Sequence, residues 1–182
     1  MKRRILTLSL LGALCAVGFT SCDKIKDKLF PAFEVDVSDV AVTIPITVAG
    51  VEANSSGNVA FNLDSAIKAH TENAFGINSL SSVKVKDITV TLVDADDLNN
   101  ISNFETVAVK LATNTVSTPA VVASAAIPNT PATYINIPAD ANTPELKDYL
   151  KGNQLTYTVS SMARKSTTAP LHAIVSLTLS VK

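Results

Sequence analysis

A chain of 182 residues that is 47% apolar is long enough for one domain with a real core, and that apolar share excludes a disordered polymer. Its 15 basic and 16 acidic residues leave a formal net charge of −1, which lacks the basic footprint nucleic acid demands. Aromatic residues contribute only 5% and tryptophan is absent, so the core is predicted to consist of Val, Ile, Leu and Ala.

The first element is a leader. Lys2-Arg3-Arg4 precedes an apolar run from Ile5 to Phe19, interrupted at Thr7, Ser9 and Gly12. A charged start, a short apolar middle and small residues at Thr20 and Ser21 form the pattern of a secretory signal. The run falls short of the roughly 20 residues a bilayer-spanning helix needs. Phe19-Thr20-Ser21-Cys22 resembles the lipobox of bacterial lipoproteins, with Phe19 departing from the usual aliphatic residue. The resemblance implies cleavage before Cys22, a diacylglycerol on its sulfur and an acylated amine. It thus implies an exported protein held to the outer membrane by lipid, as in envelope lipoproteins of the Bacteroidota type. Two or more buried acyl chains hold a protein stably where one holds it marginally.

Three segments follow from this reading: 1–21 as signal, 22–31 as lipidated tether and 32–182 as the folded domain. Removing 1–21 takes away three basic residues and no acid, leaving 12 basic against 16 acidic residues and a net charge of −4. Cys15 leaves with the signal and Cys22 is reserved for lipid, so neither a disulfide nor a thiolate metal site is expected. In the tether, Lys24 and Lys26 interrupt the acidic stretch that marks surface export in some such lipoproteins.

Beyond the tether the apolar period is mostly two, which predicts strands. Phe33, Val35 and Val37 alternate with polar residues, and after a phase shift Val40, Val42, Ile44, Ile46 and Val48 continue. A phase shift within a strand predicts a bulge or bend, and Pro45 predicts an edge or a strand switch. Val59, Phe61 and Leu63 alternate next, and 64–70 reads as a short helix capped by Asp64. Val83 and Val85, then Ile88, Val90 and Leu92, predict a strand with a slip near Lys86-Asp87. A polar connection over 94–103 follows. Further strands are predicted at 107–111, 120–127 and 134–137. Thr143-Pro144-Glu145 predicts the start of a second helix with an apolar stripe of Leu146, Tyr149 and Leu150, ended by Gly152. The last strands are Leu155-Tyr157-Val159 and Ala173 to Val181. The expected fold is mainly β: a single immunoglobulin-like or related Greek-key sandwich of about seven or eight strands, with two short helices in connections. The cysteine pair and tryptophan of antibody domains are missing.

Chemistry-bearing residues are sparse. Asp94, Asp96 and Asp97 form the densest oxygen cluster, with Glu105 at the twelfth position counted from Asp94. Calcium takes six to eight such oxygens, but the glycine at the sixth position of an EF-type loop is absent, and the same residues suit turn caps. His70 and His172 are the only histidines, too few for a three-ligand zinc centre, and both are expected to face solvent. No Gly-x-Ser-x-Gly elbow and no phosphate-cradling glycine loop occurs. Asp64-Ser65-Ala66 resembles the O-glycosylation triplet of Bacteroidota-type envelope proteins, with Ser65 as acceptor; the same triplet suits a helix cap. Only Tyr134, Tyr149 and Tyr157 could stack a sugar, and Tyr149 is expected in the core. The sequence therefore points to a lipid-anchored envelope protein whose sandwich serves structure or protein interaction. A glycan- or calcium-dependent adhesion module is the first alternative and a hydrolase the second.

Overall fold

The computed structural model describes residues 32–139 and 143–182. The leader, Cys22 and the tether lie outside the described residues. Eight strands follow in chain order: β1 (Phe33–Ile44), β2 (Glu52–Ala60), β3 (Val83–Leu92), β4 (Phe104–Thr113), β5 (Ala120–Ala126), β6 (Tyr134–Pro138), β7 (Gln154–Ala163) and β8 (Leu171–Val181). They build two four-stranded sheets, ordered β1-β8-β3-β6 and β2-β7-β4-β5. Every connection except β4–β5 crosses from one sheet to the other. First strand beside last, in two interlocked Greek keys, is the order of a jelly roll. The expected Greek-key sandwich is thus present. An immunoglobulin sheet would instead pair the first strand with the second.

Alternation drives the packing. In β8 the buried positions are Leu171, Ala173, Val175, Leu177, Leu179 and Val181, facing Val83, Val85, Ile88, Val90 and Leu92 of β3. Each fully buried Val or Leu contributes about 1.5–3 kcal/mol relative to exposure. The expected slip in β3 is a register shift between Val85 and Asp87. It places both Lys86 and Asp87 off the core face, so the buried row resumes at Ile88. Likewise Ser38 and Asp39 are both exposed in β1, and Val40, Val42 and Ile44 return to the core. Ser176 donates to Asp39 at 2.6 Å and Thr178 to Asp36 at 2.8 Å, fixing β1 on β8.

Three expectations need correction. The period-two row does not run through Pro45: β1 ends at Ile44, and Ile46 and Val48 are exposed in the turn beyond. The helix α1 (Leu63–His70) is capped by Asn62, whose Oδ1 accepts from Ser65 N at 2.9 Å, while Asp64 sits in the first turn and accepts from Ile77 N. The second helix is only a 3-10 turn at Tyr149–Lys151. There Leu146 N is spent on Val83 O, and Glu145 accepts from Val83 N at 2.6 Å and Ser82 at 2.7 Å. These bonds tie the segment to β3 and compete with a first helical turn. Leu146 and Leu150 are buried as expected, but Tyr149 is only half-buried.

Tyr157 takes the core position instead, at 0% exposure. Its hydroxyl and that of Ser55 have no hydrogen-bond partner among the described residues. Burial, with the charge of Asp39 adding to it, pushes the phenol far above its ordinary range. An unpaired buried hydroxyl costs about 1–3 kcal/mol. Tyr157→Phe keeps the ring and removes that cost, so it is expected to raise unfolding free energy by roughly 1 kcal/mol in urea titration. A loss of stability would show that the hydroxyl is satisfied.

Candidate functional site

The chain's loops divide between the two ends of the sandwich. One end carries the turns 45–51, 93–103, 127–133 and 164–170. The other carries α1 and the segments 114–119 and 143–153. β1 begins at this second end, because β8 finishes there against Val83 and its hydroxyls at 176 and 178 hold the start of β1.

A knot of buried amides stitches the first end together. Asn103 is 3% exposed; its Oδ1 accepts from Asn100 N at 3.0 Å, and its Nδ2 donates to Leu98 O at 2.9 Å and Ser166 O at 3.3 Å. Asn99 Oδ1 accepts from Thr168 N at 2.8 Å, and its Nδ2 donates to Thr168 Oγ1 at 2.9 Å. Arg164 donates to Ser102 O and Ile127 O at 2.9 and 2.7 Å. Thr47 N donates to Thr167 Oγ1, and Ile101 N to Ala132 O. All four turns are thereby bonded into one cap. Asparagine suits this work because one side chain both donates and accepts.

Apolar side chains project from the cap. Of the eight large apolar residues exposed among the described residues, six lie on this end: Ile46, Val48, Val51, Val93, Leu98 and Tyr134. Leu98 is the most exposed, at 68%. The backbone that carries these solvated apolar side chains is fixed by the amide knot. The sequence pattern hid this surface, because Ile46 and Val48 continue the core alternation.

The carboxylates weighed for calcium have other partners here. Asp94 accepts from His172 N at 2.9 Å and lies 2.7 Å from His172 Nδ1. Asp96 accepts from Asn99 N at 2.6 Å, Leu98 N at 2.8 Å and Asn99 Nδ2 at 3.1 Å. Asp97 and Glu105 are exposed, Glu105 on β4. Among the described residues no three His, Cys, Asp or Glu side chains gather as a metal-binding group. Ser65 is exposed on the first turn of α1, and His70 is exposed at its end. His172 is exposed too, and its pairing with Asp94 is a link the sequence did not suggest. Its hydrogen-bonding partners include no serine. Tyr134 stands out from β6 opposite Thr91.

These acids give the fold a defined pH response. Bonding to His172 holds Asp94 below its ordinary 3.8, and the amide and N–H groups of Asn99 and Leu98 do the same for Asp96. Burial raises Glu145, but Ser82, Val83 and Lys147 outweigh it and hold the group below 4.5. A carboxylate with a depressed folded value binds fewer protons folded than unfolded, so its contribution is present above the unfolded value and is lost as pH falls through the folded one. The melting temperature is therefore expected to stay level from about pH 7 to 5 and to fall below about pH 4. A decline already complete at pH 6 would implicate other groups.

No protein-family model matches the chain, and no curated protein does. Solved structures with a related outline include the decameric BFDV capsid protein, at 9% identity and a TM-score of 0.33, covering 83% of this chain and 99% of that one. Desmodium yellow mottle tymovirus matches at 10% identity and 0.31, covering 84% and 88%. Xylanase 10C from Cellvibrio japonicus in complex with xylopentaose matches at 8% and 0.32, covering 82% of this chain but 28% of that one. Scores and identities this low leave the strand order itself as the ground for the fold and carry nothing about what this chain does.

Proposed function

We propose that this chain is a lipid-anchored envelope protein of the outer membrane whose sandwich binds another protein rather than transforming a substrate. The observation that carries the binding role is the gathering of Ile46, Val48, Val51, Val93 and Leu98 on one amide-bonded end. The lipobox-like Phe19-Thr20-Ser21-Cys22 supports the anchor. Counting from Cys22, about eleven residues precede Phe33, a reach of at most roughly 40 Å. A calcium-dependent role would have to draw Asp96 away from Asn99 and Leu98, and a hydrolytic role would need a nucleophile beside the open Asp94–His172 pair.

Metabolic labelling with radioactive palmitate in a suitable bacterium tests the anchor. The native protein is expected to take up label and Cys22→Ala to take up none. Equal label in the two would sink the lipid reading.

A further inference from the structure

We infer that the outer face of the β6-β3-β8 ladder binds a neutral saccharide, one sugar ring lying on Tyr134. The site is separate from the loop tips proposed to meet a protein. In β6 Ile137 is buried, and Tyr134 and Asn136 alternate with it on the outer side. Thr89 and Thr91 alternate with buried Ile88, Val90 and Leu92, so they share that outer face. Register sets Tyr134 beside Thr91 and Asn136 beside Thr89, and β8 continues the two rows with Ile174 and Ser176. From Asp87 to Thr91 neither ladder shifts register, so this part of the face is regular. Neighbouring strands stand about 4.8 Å apart and alternate residues about 6.8 Å apart. Tyr134, Thr91, Asn136 and Thr89 thus frame an area close to that of one sugar ring.

Tyr134 is 61% exposed. A sugar carries C–H groups on its ring faces and hydroxyls at its edge, and an aromatic ring with a polar tip matches both. Beside it Thr89, Thr91 and Asn136 have no side-chain hydrogen bond among the described residues. Each can donate and accept, as sugar hydroxyls do. The charges at the border select among saccharides. Asp87 follows Thr89 along β3, Asp39 accepts from Ser176, and the Asp94–His172 pair lies beyond Thr91. Lys86, next to Asp87 in the chain, is paired with Glu34. An anionic saccharide would meet these carboxylates with the nearby cations already engaged, whereas the hydroxyls of a neutral one can donate to Asp87. A stable protein contact buries about 800 Å² on each side, and here only Tyr134 and Ile174 would supply apolar anchors.

Residues 32–182 contain the whole compact unit Glu34–Val181 and its core, and serve as the test protein. Saturation-transfer NMR with pentasaccharides of glucose, xylose, mannose and galactose at about 5 mM each is expected to show contact with at least one, with a Kd on the order of 0.1–1 mM. Oligogalacturonate and sialyllactose are expected to show none. Tyr134→Ala is expected to weaken binding at least ~10-fold, Asn136→Ala to weaken it less, and Tyr134→Trp to keep it. Leu98→Asp, on the loop tips, is expected to leave it unchanged. Melting temperatures close to the parent's would confirm that each variant is folded. No contact with any neutral pentasaccharide, contact confined to the acidic ones, or contact that survives Tyr134→Ala would overturn the inference. Palmitate labelling at Cys22 reads the anchor separately from all of these.

Discussion

Asn103→Ala is expected to lower the unfolding free energy by about 3 kcal/mol. The substitution strips three partners at once: Asn100 N, Leu98 O and Ser166 O. A buried group left without its partner costs about 1–3 kcal/mol, and Asn100 is itself only 4% exposed. Some of the loss returns if water reaches the cap, which sets the estimate near the low end of the sum. For a domain of this size the melting temperature should fall by roughly 6–12 °C. Asn58→Ala is the control. It removes one exposed bond, Thr156 donating to Asn58 Oδ1, and is expected to change stability by no more than ~0.5 kcal/mol. Urea titrations of both variants check the pair. A loss below ~1 kcal/mol in Asn103→Ala would mean that the turns do not depend on the knot.

Gly57→Val is expected to be more damaging, by more than about 3 kcal/mol, and to prevent folding at ordinary temperature in a marginal background. A Cβ at Gly57 would lie 2.5 Å from Val40 Cγ1 and 2.8 Å from Ala41 O. The second atom is backbone, so side-chain rotation cannot relieve both contacts. β2 would have to leave β1 or lose its register on β7, where Gly57 sits opposite Tyr157. Gly50→Ala tests a different cause. Nothing lies within 4 Å of its Cβ position, and its φ of +76° alone is strained for a side chain, which costs roughly 1–2 kcal/mol. Equal losses in the two variants would mean that close approach of β1 and β2 is not the reason for glycine at 57.

Strands buried as unbroken rows could be read directly. β3 and β8 alternate Val, Ile, Leu and Ala against polar residues, and even the bulge at Lys86-Asp87 shows as a phase slip. β2 could not, because its sequence, Glu-Ala-Asn-Ser-Ser-Gly-Asn-Val-Ala, has no apolar period before Val59. It is a strand because it pairs along its whole length with β7 and because Asn54, Ser56 and Asn58 bond Ser160, Thr158 and Thr156 across the ladder. Its inward residues Ala53, Ser55 and Gly57 are small where β1 closes over the sheet. The second helix failed for a related reason: its N–H and carboxylate groups bond residues more than 60 positions away.

The candidate surface divides the same way. A dense group of Asp and Asn at 94–103 is visible in the sequence, and turn capping is the role Asp96 and Asn100 play. What local pattern cannot supply is the partner. Asn99 meets Thr168 and Asn103 meets Ser166 only after the chain has traversed four further strands. Nor can alternation tell a buried valine from one at a tip, which is how Val48 passes for core.

The most direct measurement of the tethered reading is the mass of the amino-terminal peptide of protein purified from membranes. The expected peptide begins at Cys22 and carries a diacylglyceryl group on sulfur and an acyl group on the amine. A peptide beginning at Met1, or at Cys22 with a free thiol, would contradict it.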